Sequence, residues 1–384
     1  MRNWLLPEYI EDVLPAEASQ IESLRRSLLD LLDVHGYQLV IPPMMEYLES
    51  LITGVAHDLD IATFKVVDQL TGRLMGIRAD ITPQAARIDA HMLNNQGVTR
   101  LCYAGSVLRT NPDGLAHTRQ PMQLGAELFG HSGIEADIEI QRLMVKTLKA
   151  AGIKGLQIDF SHVGIFESLM SKVDASESLK QSIYQALQSK DQTEVRALTK
   201  HLDAVTRQAL CRLTELNGDS TVLAIAAKEL PKTTEITNAL RDLLQVASAL
   251  EDLDVSLSFD FAELRGYHYH SGMVFAAYAK GCSGPLAFGG RYDEVGQAFG
   301  RARSATGFSM DLRGLITTLP ALCIKKGILA PYGNDKSLLN KISELRESGE
   351  KVVQELPGHD EYKQELDCDR GLVNEAGQWK VVTI

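Results

Sequence analysis

Gln123 and Glu127 are the polar residues of an otherwise apolar segment, 122–129. If this segment is a strand, both side chains project from one face, because strand side chains alternate between faces. An amide and a carboxylate on one face can bind an ammonium group and a polar ring. A solvated face is the open alternative for the pair alone. The apolar neighbours argue against it, because buried polar groups need a hydrogen-bonding partner.

A second group of chemically capable residues lies between Leu264 and Gly272. This segment contains two glycines, two tyrosines, two histidines and an arginine. Such a density is typical of a pocket wall, although a structural role is equally open from this segment alone. The histidines at 268 and 270 predict no metal centre, because no third ligand stands at a suitable spacing.

A third group lies at 288–293, where the pair Gly289-Gly290 allows the backbone to approach a ligand or a neighbouring strand closely. Its spacing matches neither of the common glycine-rich phosphate-binding patterns. A dinucleotide-binding or P-loop site is therefore not predicted.

The elements that position these groups follow from apolar periodicity and from turn residues. A first helix is predicted to begin after Ser19 and to end at Gly36, since Pro7 and Pro15 are expected to keep the preceding chain irregular. Residues 165–253 carry helical patterns and predict a helical insertion. Strands are predicted at 37–41, 64–67, 74–77, 101–108, 122–129, 255–259, 272–278 and 285–288, and helices at 135–150 and from about Gly307. The strands at 64–67 and 74–77 are predicted to form a hairpin around the polar turn that contains Gly72.

Runs of strands interrupted by a block of helices predict an α+β fold with a mostly antiparallel sheet. Residues 1–320 are predicted to form the core domain, with the insertion inside it. Residues 321–384 are predicted to form a small C-terminal α/β unit, with a helix capped by Asn334 or Asp335. We expect a chain truncated after about Leu319 to fold.

Composition limits the functional classes. The formal net charge of −11 argues against dominant, nonspecific phosphate binding. The five cysteines are scattered without metal-ligand spacing, so neither a metal nor another cofactor is expected. No apolar run is long enough for a membrane span and no signal-peptide pattern is present. A cytoplasmic protein with reduced thiols is therefore predicted.

Taken together, these segments resemble the class II aminoacyl-tRNA synthetase core, and histidyl-tRNA synthetase in particular, over about residues 7–319. The Gln-x-x-x-Glu pattern of Gln123 and Glu127 resembles the part of the second class II motif that reads histidine. The other matching segments are 37–43, similar to the dimer-forming first motif; 78–82, similar to R-P-E-G-T; Arg265-Gly266, which opens a counterpart of R-G-L-D-Y-Y-T-G; 289–293, similar to G-G-R-Y-D; and 307–310, similar to the start of the third motif.

The chain departs from this family at several positions, two of which concern ATP binding. Asn111 stands where the synthetases have a glutamate that helps recognise ATP, and Gly314 stands where they have a phosphate-binding arginine. Arg313 is expected to point elsewhere, because consecutive helical residues lie about 100° apart. His268 and His270 replace an aspartate and a tyrosine of the histidyl signature. The C-terminal unit is also short for an anticodon-binding domain. Adenylation and tRNA binding are therefore expected to be lost.

With these departures, the chain resembles the paralogue family that regulates short-form ATP phosphoribosyltransferase. The resemblance implies a non-catalytic regulatory subunit, a homodimer within a hetero-oligomer, that activates separate catalytic subunits. It also implies a part in feedback inhibition by histidine at the first step of histidine biosynthesis. Two alternatives stay open: a ligase that charges an acceptor other than tRNA with histidine, and a free-standing histidine sensor.

The resemblance also implies a surviving amino-acid pocket. Asp80, Thr82 and Gln123 are expected to hold the ammonium group, Arg265 the carboxylate, and Glu127 the imidazole. Replacing Glu127 by alanine is expected to weaken histidine binding by about 1–3 kcal/mol and to leave folding and partner assembly largely intact. The complete set of expected histidine-binding residues is Asp80, Thr82, Arg109, Gln123, Glu127, Arg265, Tyr269 and His270.

Overall fold

The computed structural model describes residues 4–52, 57–112, 117–171, 173–264, 266, 269–321 and 325–384. The chain divides into two compact units, Met1–Pro320 and Ala321–Ile384. Among the described residues, none of the helices combines the length and the apolar character that a membrane span requires.

The first unit contains most of the helices and strands. Its helices are α1 (Pro15–Val34), α2 (Leu48–Ile52), α3 (His57–Ala62), α4 (Thr82–Arg87, continued by a π-helical segment, Ile88–Leu93), α5 (Ile134–Ala150), α6 (Val163–Met170), α7 (Glu177–Gln188), α8 (Gln192–Leu198), α9 (Ala204–Leu213), α10 (Thr221–Glu229), α11 (Thr234–Ala249) and α12 (Leu312–Ile316), with a 3-10 helix at Val295–Phe299. Its strands are β1 (Gln38–Leu39), β2 (Met45–Tyr47), β3 (Phe64–Val67), β4 (Leu74–Ile77), β5 (Thr99–Ser106), β6 (Met122–Phe129), β7 (Leu156–His162), β8 (Asn217–Gly218), β9 (Ser256–Asp260), β10 (Met273–Ala279), β11 (Ala287–Arg291) and β12 (Ala305–Asp311).

A large sheet organises this unit. Within the part of the chain that the structure describes, its nine strands follow the order β1-β5-β6-β12-β11-β10-β7-β9-β8. Neighbouring strands are antiparallel except at β1–β5 and β7–β9, where they are parallel. The prediction of an α+β fold with a mostly antiparallel sheet is confirmed. The predicted hairpin at 64–67 and 74–77 is also present as β3 and β4.

The two faces of the large sheet differ in chemistry. Ala126, Phe308, Phe275 and Phe160 stand in register across β6, β12, β10 and β7 and belong to the main hydrophobic core, together with buried residues of α1 and α5. Side chains of a strand alternate between faces, so the residues next to these project to the opposite face. Glu127 therefore lies on that opposite face, where the candidate site is found.

The prediction of a helix that begins near Gly307 is wrong. Residues 305–311 form β12, a central strand of the large sheet, and a helix begins only at Leu312. All residues of β12 except Asp311 are buried. The alternation of apolar Phe308 and Met310 with polar Ser309 and Asp311 is a strand signal, which the helix prediction did not take into account.

One further prediction is wrong, and one strand of the large sheet was not predicted. Pro15 does not keep its surroundings irregular but begins α1, because the first helical residue needs no hydrogen bond from its N–H. β7 was not predicted, although it pairs with both β10 and β9. The residues from α6 to α11 are helical apart from short connections and β8, and this block joins β7 to β9 along the chain.

The second unit is a small α/β sandwich of its own. Its sheet has the order β14 (Val352–Gln354), β13 (Gly327–Ala330), β15 (Cys368–Glu375) and β16 (Gln378–Thr383) among the described residues. The helix α13 (Lys336–Glu347) is capped by the carboxylate of Asp335, which accepts from the backbone N–H groups of Ser337 and Leu338. Leu338 and Ile342 bury its apolar side. A 3-10 helix, Asp360–Leu366, precedes β15.

Candidate functional site

A cavity of about 590 Å³ lies over the polar face of the large sheet. A volume of this size suits a small-molecule ligand. The structure brings seven of the eight sequence-predicted residues to its wall: Asp80, Thr82, Arg109, Gln123, Glu127, Tyr269 and His270. The eighth, Arg265, lies outside the described residues, as do Tyr267 and His268.

One part of the wall holds a carboxylate in a fixed position. The Gln123 amide nitrogen donates to Asp80 Oδ1 at 2.6 Å, and the Thr82 backbone N–H donates to the same oxygen at 3.1 Å. The Gln123 amide oxygen in turn accepts from the Ile81 backbone N–H at 2.9 Å. The carboxylate is therefore oriented before any ligand arrives, and a fixed carboxylate suits an ammonium group.

Glu127 is held by two phenols. Its Oε1 accepts from the Tyr103 hydroxyl at 2.9 Å and its Oε2 accepts from the Tyr292 hydroxyl at 2.5 Å. Tyr103 also shares a hydrogen bond of 2.8 Å with the Thr82 hydroxyl. Burial raises the pKa of Glu127 to about 8, although both phenols oppose that rise by bonding to the carboxylate. Near neutral pH this carboxyl group is therefore largely protonated.

Two glycines make room for this network. A Cβ at Gly307 would collide with the Glu127 carboxylate, and a Cβ at Gly125 would collide with the Tyr103 hydroxyl. Both side chains therefore lie against the sheet only because their cross-strand neighbours have none.

The expectation that Glu127 is dispensable for folding does not agree with this geometry. The side chain is 1% exposed, and it is the acceptor for both buried phenols. Replacing it by alanine would leave those hydroxyl groups without an acceptor, which costs stability. From the sequence, Glu127 was expected to line a pocket, but its two hydrogen-bond partners, Tyr103 and Tyr292, were not predicted. Tyr292 belongs to the 289–293 segment that was singled out, so a signal for it was present, whereas none pointed to Tyr103.

Aromatic rings form another part of the wall. The Tyr269 ring lies 5.0 Å from that of Tyr292 and meets the His270 ring edge-on at 5.2 Å, measured between centroids. The Tyr269 hydroxyl is buried and has no hydrogen-bond partner among the described residues, whereas the buried His270 ring bonds to the backbone of Arg291. Burial lowers the pKa of His270 to about 4, so its imidazole is neutral near pH 7. Unpaired buried polar atoms of this kind require a ligand or a water molecule.

Near the ATP-related departure Gly314, the charged side chains Asp311 and Arg313 are hydrogen-bonded within the fold. Asp311 caps α12 and accepts from the backbone N–H groups of Arg313 and Gly314 at 3.0 Å each. The buried Arg313 guanidinium donates to the Glu11 carboxylate at 2.8 Å. Asn111 lines the cavity with its uncharged side chain. Arg313 is thus used structurally and does not replace the missing phosphate-binding arginine.

In the described ranges, no group of three His, Cys, Asp or Glu side chains comes together as a metal site would require. Cys102, Cys211, Cys282 and Cys368 are free thiols, and Cys323 lies outside the described residues.

Comparison with known proteins assigns the chain to a family. The histidyl-tRNA synthetase family model matches residues 9–315, and the model for the C-terminal domain of ATP phosphoribosyltransferase subunit HisZ matches residues 325–382. The ATP phosphoribosyltransferase regulatory subunit of Methylobacillus flagellatus is 65% identical over 382 residues, which cover 100% of this chain and 99% of the relative. The chain belongs to the family of ATP phosphoribosyltransferase regulatory subunits.

Solved structures agree with this assignment. An ATP phosphoribosyltransferase regulatory subunit/histidyl-tRNA synthetase from Bacillus halodurans has a TM-score of 0.84 at 25% identity and covers 97% of this chain and 98% of its own. Histidyl-tRNA synthetase from Nostoc has a TM-score of 0.79 at 18% identity, covering 100% of this chain and 97% of its own, which shows a common fold. The predicted class II synthetase-like core is confirmed, and so is the prediction of a regulatory subunit rather than a synthetase.

Proposed function

We propose that the chain activates a separate, short-form ATP phosphoribosyltransferase catalytic subunit and takes part in its feedback inhibition by binding L-histidine in the main cavity. Membership in the regulatory-subunit family supports the partner. The fixed Asp80 carboxylate, held by Gln123 and the backbone of Thr82, is the observation that supports the amino-acid ligand.

The ligand is proposed to bind with its ammonium group at Asp80 and its imidazole towards Glu127, Tyr269 and His270. A protonated Glu127 and a neutral His270 offer hydrogen bonds to an uncharged imidazole without adding a buried charge. Arg265 is proposed to pair with the ligand carboxylate.

The competing ligase function requires ATP. The charge arrangement at Asp311 and Arg313 argues against it, because both groups are already paired inside the fold. We expect no histidine-dependent exchange between ATP and pyrophosphate. Exchange clearly above background would favour the ligase and contradict the regulatory assignment.

Reconstitution tests the proposal directly. The chain is expected to co-purify with a short-form catalytic subunit, to raise its activity, and to make that activity sensitive to histidine. Asp80→Asn should blunt the inhibition and preserve the activation, since Asp80 is proposed to contact the ligand and not the catalytic subunit. Asp252→Asn is a matched control, because Asp252 is an exposed carboxylate that pairs with Arg142 outside the cavity. Failure to co-purify, with the chain binding histidine alone, would favour the free-standing sensor.

We also propose that the core forms a homodimer through the segment 37–43 and its neighbours. Leu39, Ile41, Met44 and Met45 are exposed in the described chain, and Ile41 is 85% exposed. Contiguous exposed apolar side chains mark protein interfaces. Sedimentation should give a dimer for the natural chain and a shift towards monomer for Ile41→Asp. A natural chain that sediments only as a monomer contradicts this proposal.

A further inference from the structure

An exposed apolar segment precedes the first helix. Trp4 is 76% exposed, Leu5 74%, Leu6 49% and Tyr9 57%. Large apolar side chains that lie close together and face solvent mark a site of association. Trp and Tyr are also among the residues that most often carry the binding energy of a protein interface. These four described residues lie outside both the cavity wall and the segment 37–43.

The backbone of this segment is fixed to the body of the first unit. The Tyr9 carbonyl oxygen accepts from the Arg119 backbone N–H at 2.9 Å and from the Thr118 hydroxyl at 3.3 Å. The Glu8 carbonyl oxygen accepts from the Arg119 guanidinium at 3.5 Å. The apolar side chains are thus displayed from an ordered backbone, and a surface that is ordered beforehand loses less entropy when a partner binds.

The segment adjoins the wall of the main cavity through Arg119. The Arg119 carbonyl oxygen accepts from the Arg109 backbone N–H at 2.8 Å, and the Arg119 guanidinium donates to the Arg109 carbonyl oxygen at 3.2 Å. Arg109 itself lines the cavity. A protein bound at residues 4–9 would therefore lie next to the proposed histidine site. That place suits a subunit whose activity responds to histidine.

The charge around the segment is of one sign. Residues 4–24 include several carboxylates and no Lys, Arg or His. Glu8, Asp12 and Glu17 are exposed. A second copy of the chain docked here by a twofold contact would bring two acidic sets together. A lipid surface is also disfavoured, because segments that bind membranes are typically rich in Lys and Arg. The charge favours a protein partner with basic residues around an apolar groove.

We propose that residues 4–9 are the docking surface for the catalytic subunit of ATP phosphoribosyltransferase, with Trp4 and Leu5 as apolar anchors. The partner's side is an apolar groove bordered by Lys or Arg side chains that face Glu8 and Asp12. This assignment rests on the proposed function, which supplies the partner, and adds the surface at which the two chains meet.

Substitution of the anchors tests the surface. Binding of the full chain to its short-form catalytic subunit is measured by calorimetry for Trp4→Asp and Leu5→Asp. Each variant places a charge in the apolar contact, and loss of an anchor should weaken association by about tenfold or more. Leu70→Asp is the matched control, because Leu70 is 92% exposed and lies in the turn between β3 and β4. It should bind as tightly as the natural chain.

Reversal of charge tests the basic border of the partner's groove. Glu8→Lys and Asp12→Lys should slow association and make it less sensitive to salt, because charges at the rim of an interface act mainly on the rate of encounter. Glu251→Lys changes the net charge equally at an exposed position after α11 and should leave the rate unchanged. Equal effects of all three variants would contradict the basic border.

Thermal unfolding and sedimentation of each variant alone should match the natural chain, because the substituted side chains are exposed. If Trp4→Asp and Leu5→Asp bind the catalytic subunit as tightly as the natural chain, the docking surface is overturned and the proposed function stands. Altered sedimentation of these variants alone would assign the surface to a second copy of the chain and would also overturn it. If the natural chain does not bind the catalytic subunit, the proposed function fails together with this surface.

Discussion

The main cavity and the nearby start of α12 use their charged groups in opposite ways. In the cavity wall, Asp80 and Glu127 are held by Gln123 and by two phenols. At the start of α12, which does not line the cavity, Asp311 caps the helix and Arg313 pairs with Glu11.

This difference shows how a binding site can lose half of its chemistry and keep its fold. Transfer of an adenylyl group needs positive charge aimed at phosphate oxygens. Arg313 supplies its charge to a structural ion pair, and Gly314 supplies none. The cavity wall keeps oriented hydrogen-bonding groups, which suit the proposed amino-acid ligand.

The largest effect is expected for Asp80→Asn. Removing one partner of a buried charge pair typically costs about 2–5 kcal/mol of binding free energy. Calorimetric titration with histidine should show this loss, and Asp311→Asn should show almost none. Equal losses in both variants would mean that the cavity wall at Asp80 and the start of α12 at Asp311 are not functionally distinct.

A smaller effect on folding is expected for Glu127→Ala. The substitution leaves the Tyr103 and Tyr292 hydroxyls without their acceptor, at about 1–3 kcal/mol for each unpaired group. Urea unfolding should show the decrease. Glu127→Gln keeps an acceptor and should unfold closer to the natural chain. Similar stability of the alanine variant and the natural chain would contradict the proposed network.

The pH dependence of stability tests the raised pKa of Glu127. The pKa of Glu127 is about 8 in the folded protein and 4.5 ordinarily, so the folded state binds more protons between these values. The free energy of unfolding should therefore fall as pH rises from 4.5 to 8. His270, whose pKa is lowered from 6.5 to about 4, acts in the opposite direction below pH 6.5. Urea unfolding between pH 6.5 and 8 should show a steeper decline for the natural chain than for Glu127→Gln. Parallel profiles would rule out a raised pKa at Glu127.

The smallest effect is expected for Asp311→Ala. Loss of an N-cap side chain costs about 1 kcal/mol of folding stability. Asp311 also accepts from the backbone N–H of Met122, so a value towards 2 kcal/mol is reasonable. Histidine affinity should be unchanged, because the Asp311 carboxylate bonds to backbone N–H groups and is not proposed to contact the ligand. A marked loss of affinity without a loss of stability would place Asp311 in the ligand site instead.

Local patterns were enough to predict the part of the site that lies on β6. Gln123 and Glu127 alternate with apolar residues in β6, and the resulting period of two fixed both the strand and the shared face. Gly72 and its polar neighbours likewise identified the hairpin of β3 and β4.

Features that depend on distant partners could not be predicted in this way. The need for Gly307 becomes apparent only when Glu127 is opposite it. Arg313 and Glu11 lie near the two ends of the first unit in sequence, and nothing in their local surroundings indicates that they pair.

The position of β12 between β6 and β11 also determines when the site can form during synthesis. The whole helical block separates β6 from β12 along the chain, yet the two strands are neighbours in the sheet. Until β12 leaves the ribosome, the edge of β6 that it will cover has no native partner, and an unpaired edge invites wrong pairings. Glu127 cannot face Gly307 before that moment. A nascent chain that ends before β12 should therefore be unable to recognise histidine, and the ability to bind it should appear only with the closing of the sheet.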